Sequence, residues 1–134
     1  MTKTQTMRFQ AALEARRHEL AREIHAQAGG LAICEDGRDP IDQIQSMKQR
    51  DEAVLAVQWL SRALSEVDAA LRAMSEGVYG SCVGCGEPIS LKRLETIPWA
   101  SRCVGCQEST ERRQAAQAAG PAWVSRFDEE REAA

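Results

Sequence analysis

Four cysteines stand in two CxxC pairs, Cys82 with Cys85 and Cys103 with Cys106, and residues 86–102 separate the pairs. A CxxC turn holds two thiolates close together, and two such turns facing each other form the tetrahedral sulfur cage that Zn²⁺ prefers. The spacing also fits the general pattern of C4 zinc sites. Because four thiolates leave no open position for water or substrate, the pattern predicts one structural zinc ion rather than a catalytic metal.

Two other interpretations of the cysteines are a pair of disulfides and a redox-active CxxC of thioredoxin type. Nothing in the sequence suggests a secreted protein, in which disulfides would form. A redox motif would not need a second, matched pair of cysteines.

Three glycines accompany the cysteines. Gly84, Gly86 and Gly105 lie inside the two pairs or directly after the first. We expect them at positions that need a positive φ or a close approach of the backbone to sulfur, because glycine has no Cβ.

The cage is expected to be held by long helices, the longer of which runs from Pro40 to about Glu76, where Gly77 ends it. Asp39 precedes Pro40, which suits an N-cap residue followed by proline at the first helical position. Apolar residues recur along this segment at alternating spacings of three and four, which is typical of a coiled-coil seam. The seam residues are Val57, Leu60, Leu64, Val67, Leu71 and Met74.

A first helix is expected over about residues 4–28, because no Pro or Gly interrupts the chain before Gly29 and Gly30. We expect His18 and His25, both on this helix, at solvated positions rather than at a metal. The apolar stripe of the helix consists of Phe9, Leu13, Leu20, Ile24 and Ala28.

Two long helices joined by a tip loop over about residues 29–40 predict an antiparallel hairpin. Because the second helix is longer, its base is expected to dock on the zinc module. Trp59 is expected to pack beside the seam, with a contact at the rim as the alternative. Residues 103–119 predict another helix. The expected fold class is therefore mainly α, an antiparallel coiled-coil hairpin with a small C4 zinc-finger module and a C-terminal helix. The expected units are residues 1–76, 77–119 and a C-terminal tail, 120–134.

Composition and charge narrow the classes of function. The chain has 134 residues and a net charge of −3 at pH 7, so no overall basic field favours nucleic acid. No catalytic constellation and no glycine-rich phosphate loop stands out, and we therefore expect a protein that is not an enzyme. Since we find no apolar leader and no run of about 18 apolar residues, we expect a cytoplasmic protein without a membrane partner.

Acidic residues cluster where the hairpin is expected to turn. Glu35, Asp36, Asp39 and Asp42 stand there beside a single base, Arg38. Asp39 and Asp42 are three residues apart at a helix start, so both carboxylates can face the same way. One interpretation is N-capping with a favourable helix-dipole interaction, worth about 1 kcal/mol. The other is that a stiff arm carries negative charge to a distant place, such as a basic channel or another protein's metal ion.

The cysteine-containing run and the tip together resemble the DksA/TraR family of bacterial transcription factors. The run is GVYGSCVGCGEPISLKRLETIPWASRCVGCQ, residues 77–107, and the tip is Asp-Pro-Ile-Asp, residues 39–42. The resemblance covers roughly residues 9–118. It implies a coiled-coil hairpin with a C4 zinc module that binds RNA polymerase by inserting the hairpin into the secondary channel, near the active site. There the family alters the lifetime of the open complex and so promoter output, often together with guanosine tetraphosphate.

The resemblance assigns roles to particular residues. The family's paired tip aspartates match Asp39 and Asp42, and its four zinc ligands match the four paired cysteines. The family's tip pattern ends in alanine, whereas this chain has Ile44, a bulkier side chain, at that partner-binding position.

The family also contributes basic residues near the zinc module to a nucleotide site. The matching positions here are Glu66, Ile97 and Gln107, none of which is basic. A tetraanionic ligand gains little from such a surface. Our hypothesis is therefore that guanosine tetraphosphate is not needed at this site. Separately, we expect a monomer that does not bind DNA sequence-specifically.

Two other classes of function stay open. A zinc-ribbon DNA-binding module is the main alternative, but residues 77–119 hold five cationic against four acidic side chains, which is few for phosphate contacts. A redox enzyme predicts a reactive thiol pair without zinc, so a metal assay and a thiol titration would separate it from a zinc protein. The fifth cysteine, Cys34, lies in the tip loop, either as an incidental residue or as a redox-sensitive one.

Overall fold

Four helices follow one another along the chain: α1 (Lys3–Leu31), α2 (Pro40–Ser75), α3 (Leu91–Thr96) and α4 (Val104–Ala118). The computed structural model describes residues 1–31 and 39–120. Within this part of the chain there is no β-strand, only an isolated bridge between Ser81 and Pro88. The mainly α fold class predicted from the sequence is confirmed.

Some predictions concern residues that the structure does not describe. Residues 32–38 of the predicted tip loop, with Cys34, Glu35, Asp36 and Arg38, and residues 121–134 of the C-terminal tail lie outside the described residues. The division of the chain into three units stays a prediction. In the part of the chain that the structure describes, no helix combines the length and the apolar character that crossing a membrane requires.

Helix α1 begins with a reciprocal cap that was not predicted. The Thr2 amide donates to the Gln5 side-chain oxygen at 2.9 Å, and the Gln5 amide donates to the Thr2 hydroxyl at 3.3 Å. This is a capping box, which satisfies two amide groups that the first turn leaves unpaired. At the other end, the predicted stop before Gly29 and Gly30 is wrong, because the helix continues to Leu31. Glycine disfavours a helix by about 1 kcal/mol relative to alanine but does not remove a hydrogen bond.

Helix α2 begins and ends close to the predicted residues. Asp39 occupies the N-cap position and Pro40 follows it, but the Asp39 side chain makes no capping hydrogen bond. The predicted position is therefore right and the predicted side-chain cap is wrong. The Asp39 carbonyl accepts the first hydrogen bond of the helix, from the Gln43 amide. Gly77 ends the helix with a φ of +75°, and the Val78 amide donates to the Ala73 carbonyl, which is a common way of terminating a helix.

The two long helices form an antiparallel hairpin around one apolar cluster. Leu13 and Leu20 of α1 are buried with Val67 and Ala70 of α2. All six predicted seam residues of α2 are buried or half-buried. The predicted stripe of α1 is buried at its base, half-buried at Ile24 and exposed at its last member, Ala28, so the stripe reaches less far than expected. Both histidines of α1 are exposed, as predicted.

An ion pair shows the register of the hairpin. Arg17 of α1 donates to a carboxylate oxygen of Asp68 of α2 at 2.9 Å. Counting equally along both helices from this pair brings Leu31, the last residue of α1, level with Val54. The first turns of α2, residues 40–53, therefore project beyond α1 by about 20 Å, at 1.5 Å per residue.

The base of the hairpin joins the zinc module through both long helices. Phe9 of α1 is buried in one cluster with Cys82, Ile89 and Leu94, and Met74 of α2 packs against that cluster. The expectation that α2 docks there is therefore incomplete, because α1 contributes the buried aromatic ring.

The expectation that Trp59 packs beside the seam is wrong. Its side chain is 74% exposed. Its neighbour Leu60 is half-buried against the hairpin cluster, and successive helix positions turn by 100°. Trp59 therefore faces away from the cluster that Leu60 joins.

Truncating a buried leucine tests the hairpin core. We expect Leu13→Ala, at a side chain that is 0% exposed, to lower the free energy of unfolding by about 2–5 kcal/mol because it leaves a cavity between the helices. Chemical denaturation followed by circular dichroism measures the change. Met7→Ala on the same helix, where the side chain is 64% exposed, is the control, and an equal loss in the two variants would contradict the packing described.

Candidate metal centre and hairpin tip

The first cysteine pair lies on a tight turn held by backbone hydrogen bonds. The Cys82 amide donates to the Glu87 carbonyl at 2.8 Å, and the Gly86 amide donates back to the Cys82 carbonyl at 2.9 Å. Gly86 has a φ of +74°, a conformation that side chains with a Cβ rarely adopt. The turn therefore holds the sulfur atoms of Cys82 and Cys85 on one side.

The second pair lies at the start of α4. Cys103 is the N-cap residue with an extended backbone, and Cys106 lies in the first helical turn. The Val83 amide donates to the Ser101 carbonyl at 2.9 Å, which holds the two cysteine pairs against each other. A turn and a helix start thus face each other across the site.

The four cysteines come together as the sequence predicts. Their sulfur atoms all lie within 4.8 Å of one another, and the sulfur atoms of Cys85 and Cys103 are 3.8 Å apart. A tetrahedral ion with Zn–S bonds of about 2.3 Å requires sulfur separations of about 3.8 Å. The donor set therefore fits one zinc ion in a closed site, and all four cysteines are free thiols rather than disulfides.

Hydrogen bonds prepare one sulfur for the metal. The Cys103 amide donates to the Cys82 sulfur at 3.3 Å, and the Gly84 amide donates to it at 3.4 Å. The first of these bonds contributes most to lowering the pKa of Cys82 to about 6. Hydrogen bonding with the Cys103 thiol contributes most to raising the pKa of Cys106 to about 12. The two shifts have opposite directions, so the thiols do not all favour the thiolate form, and a divalent ion displaces protons from the cage as it binds.

The three glycines differ in what they provide. Gly86 supplies a positive φ, as described above. A Cβ placed on Gly84 would lie 3.0 Å from the Cys106 sulfur, so this glycine allows the close approach that was predicted. A Cβ on Gly105 would meet nothing within 4 Å, and the prediction of a special role for Gly105 is wrong.

One element of the zinc module was not predicted. Helix α3 starts after Ser90, whose hydroxyl accepts from the Arg93 amide at 3.3 Å. Leu94 of this helix is fully buried, and the Arg93 side chain donates to the Arg102 carbonyl at 3.1 Å. A serine N-cap before Leu91 and Leu94 was the available signal, but a helix this short has too few positions for a periodic pattern.

Aromatic residues connect the zinc module to the hairpin. The Tyr79 hydroxyl donates to the Pro98 carbonyl at 2.8 Å, and its ring lies 6.0 Å from the ring of Phe9. Burial raises the pKa of the Tyr79 hydroxyl to about 12. The Arg16 guanidinium lies 5.9 Å from the ring centre of Trp99. These contacts hold the hairpin base and the metal site as one unit.

The tip residues lie far from the metal site. Asp39 precedes α2, and Asp42 and Ile44 lie in its first turns, all of them exposed. Helix α2 is 36 residues long, which corresponds to about 54 Å at 1.5 Å per residue. Asp39 and Asp42 therefore lie at one end of α2, and the cysteines follow its other end.

The three positions that the resemblance assigns to a nucleotide site carry no cation. Glu66 is exposed on α2, and Ile97 and Gln107 are partly buried in the zinc module. The Gln107 side-chain amide donates to the Glu111 carboxylate at 2.9 Å. That amide is thus already engaged with an anion of the protein itself.

Comparison with known proteins gives consistent findings. The family described as the prokaryotic dksA/traR C4-type zinc finger matches residues 77–112. A Caulobacter vibrioides protein named RNA polymerase-binding transcription factor DksA is 35% identical over 107 residues, which is 79% of this chain and 75% of the relative. The Escherichia coli K12 protein of the same name is 26% identical over 118 residues, 85% of this chain and 76% of the relative.

A solved structure is similar over most of its length. Transcription factor DksA2 from Pseudomonas aeruginosa matches with a TM-score of 0.75 and 31% identity, covering 86% of this chain and 89% of the other. Both the sequence and the structural similarity therefore extend beyond the cysteine-containing run into the helices.

Removing one sulfur tests the metal centre. We expect Cys82→Ser to lose bound zinc and to unfold the zinc module, because metal-binding energy is folding energy in a small cage. Elemental analysis and thermal unfolding measure both effects. Ser81→Ala, at the exposed neighbouring residue, is the control, and full retention of zinc and thermal stability by Cys82→Ser would contradict the assignment.

Gly84 and Gly105, each the third residue of a Cys-Val-Gly-Cys run, provide a matched comparison. We expect Gly84→Ala to lower zinc affinity by about tenfold, because the added methyl group would press on the Cys106 sulfur. Gly105→Ala occupies the same place in the other pair, meets no atom within 4 Å and should keep its affinity. Competition with a chromophoric chelator measures the zinc dissociation constants of both variants. Equal affinities would show that the Cys106 sulfur can move aside without weakening zinc binding.

Proposed function

The chain belongs to the DksA/TraR family, and on this premise we propose that it is an RNA polymerase-binding regulator of transcription. The hairpin enters the secondary channel of the polymerase tip first and modulates initiation there. The proposal draws its partner from the relative named RNA polymerase-binding transcription factor DksA, of which this chain covers 75%. The protein acts by binding in a cytoplasmic compartment and catalyses no reaction of its own.

One structural observation carries the proposal. Residues 40–53 of α2 project beyond α1 from a base that is held by the metal cage and by buried residues of both long helices. Such an arm can enter a narrow opening that would exclude the wider base. Its length of about 20 Å is added to the paired part of the hairpin.

The tip carries charge that the fold itself does not use. The Asp39 side chain makes no capping hydrogen bond, and both Asp39 and Asp42 are exposed. Helix-dipole attraction stabilises such acids by only about 0.3–1 kcal/mol at an exposed surface. This supports a role for the two carboxylates in contacts with a partner, either cationic side chains or a metal ion in the polymerase.

Ile44 is proposed as an apolar contact beside these acids. Its side chain is 68% exposed, so a partner surface could bury it. Burial of an isoleucine side chain contributes about 1.5–3 kcal/mol. Ile44 would therefore strengthen tip binding relative to the smaller alanine of the family pattern.

We further propose that this regulation does not need guanosine tetraphosphate at the interface of the zinc module. The supporting observation is the absence of a cation at Glu66, Ile97 and Gln107, together with the engagement of Gln107 with Glu111. A highly charged nucleotide is bound mainly through charge-assisted hydrogen bonds, which these three residues cannot supply.

Transcription in vitro tests the proposed function. We expect the wild-type protein to change output from a ribosomal promoter with purified cognate polymerase, and Asp39→Asn/Asp42→Asn to lose most of that effect. Both results should be the same with and without guanosine tetraphosphate. Because Asp39 makes no side-chain cap, circular dichroism should show nearly unchanged helix content in the variant.

The matched control neutralises two acids at the other end of the molecule. Glu87→Gln/Glu95→Gln changes exposed residues of the zinc module and should keep full activity. A loss of helix in the tip variant as large as its loss of activity would favour a capping role instead. A salt-dependent shift of naked DNA by the wild type, without an effect on polymerase, would favour the zinc-ribbon alternative.

A further inference from the structure

Helix α2 carries a second row of side chains on the side that α1 does not cover. Its four apolar members are between 57% and 74% exposed. At 100° per residue, all members of the row fall within an arc of about 80°. We call this row the outer stripe, and its members are Ile41, Ile44, Lys48, Asp51, Leu55 and Trp59.

The outer stripe has no partner within the described structure. Its centre lies about 150° around the helix from the seam that packs on α1. Helix α1 has no comparable row, since Met7 is the only large apolar side chain that is exposed among its described residues. Large exposed apolar side chains are normally scattered singly on a monomer, whereas several on one helix face indicate an interaction surface.

The spacing of the stripe resembles a second coiled-coil seam. Its members follow one another at intervals of three or four residues, which places them on one helical face as a and d positions do. Apolar residues occupy both ends and the two charged residues occupy the middle. Neither Lys48 nor Asp51 has an ion-pair partner among residues 1–31 and 39–120.

We propose that the outer stripe binds a second copy of this chain, with the two α2 helices antiparallel. In this arrangement Lys48 faces Asp51 of the second copy and Asp51 faces its Lys48, which gives two ion pairs. The same register places Ile44 against Leu55 of the second copy, and Trp59 covers Ile41.

Charge decides the orientation. A parallel pair would place Lys48 beside Lys48 and Asp51 beside Asp51, and like charges at facing positions are destabilising. The antiparallel pair replaces both repulsions with attractions. Because α1 lies on the opposite side of α2, it does not obstruct the approach of the second copy.

The dimer should be weak. Each copy contributes fewer residues than the roughly 20–30 of a standard protein interface, and association also costs translational and rotational freedom. We therefore expect a monomer at low concentration and an appreciable dimer only at high concentration.

The dimer would compete with the proposed use of the tip. Two hairpins joined through residues 41–59 overlap at their projecting ends, so neither could enter a narrow channel until the pair separates. This competition rests on the proposed function, whereas the dimer itself does not. The monomer expected from the sequence is then the active form, and the dimer withholds the tip at high concentration.

Sedimentation velocity over a concentration series, without polymerase, tests the dimer. We expect the wild type to shift from monomer to dimer between micromolar and millimolar concentration. Lys48→Asp alone, or Asp51→Lys alone, should weaken the dimer on the order of tenfold, because each converts two attractions into two repulsions. Both residues are exposed, so the variants should fold normally by circular dichroism.

Mixing the two single variants provides the decisive comparison. The mixture forms a heterodimer in which both facing pairs are again of opposite charge, so dimerisation should return to the wild-type level. The double variant Lys48→Asp/Asp51→Lys should recover as well. A merely structural effect of either substitution would not be reversed by adding the other variant.

Apolar variants and a control complete the test. Leu55→Ala and Trp59→Ala should weaken the dimer, whereas Met7→Ala, at an exposed residue of α1, should not. A wild type that stays monomeric throughout, or charge variants that do not recover on mixing, would overturn the proposal. Polymerase binding is measured separately, so a failure of the proposed function leaves this result unaffected, and the reverse also holds.

Discussion

The base of this protein depends on bringing four sulfur atoms together around one divalent ion. Among residues 1–31 and 39–120, the cluster beside the cage contains four buried residues, which is too small a core to stabilise a module of this kind by apolar burial alone. Cys82 belongs to both structures, since its sulfur accepts two amide hydrogen bonds in the cage while its residue packs with Phe9. Cys103 and Cys106 also pack against this cluster, so metal binding and packing of the hairpin base are coupled through three of the four cysteines.

Residues that pack against both apolar clusters connect the metal cage to the hairpin. Met74 and Tyr79 pack against the cluster of the zinc module and against the cluster of the hairpin. The Arg17–Asp68 pair then holds the register of the two helices farther along. The direction of the projecting arm is thus set at the base.

Much of this arrangement could be predicted because it is recorded in local spacing. The cysteine intervals specify the cage, and the alternation of three and four residues specifies the seam of α2 with its burial. The end of α1 could not be predicted, since the glycine penalty is small compared with the cooperativity of a long helix. The outward direction of Trp59 was missed because a tryptophan was expected to be buried, although its place off the seam was visible.

Other features depend on three-dimensional contacts that spacing does not record. Gly84 and Gly105 occupy equivalent places in identical CVGC sequences, yet only Gly84 faces a sulfur of the opposite pair. The Asp39 side chain stands at a cap position without capping, which sequence alone cannot distinguish from a working cap. Helix α3 is specified by the burial of Leu94 rather than by a repeating pattern.

The distance of the tip from the base depends on the lengths of the two long helices, whereas the anchoring of the base depends on the contacts around the metal. A seven-residue insertion in each helix, level with the other, would move the tip about 10 Å farther from the base and leave every contact around the metal unchanged. The number of residues between the sulfur cage and the tip therefore sets how deeply such a molecule can enter a cavity, at about 1.5 Å per helical residue.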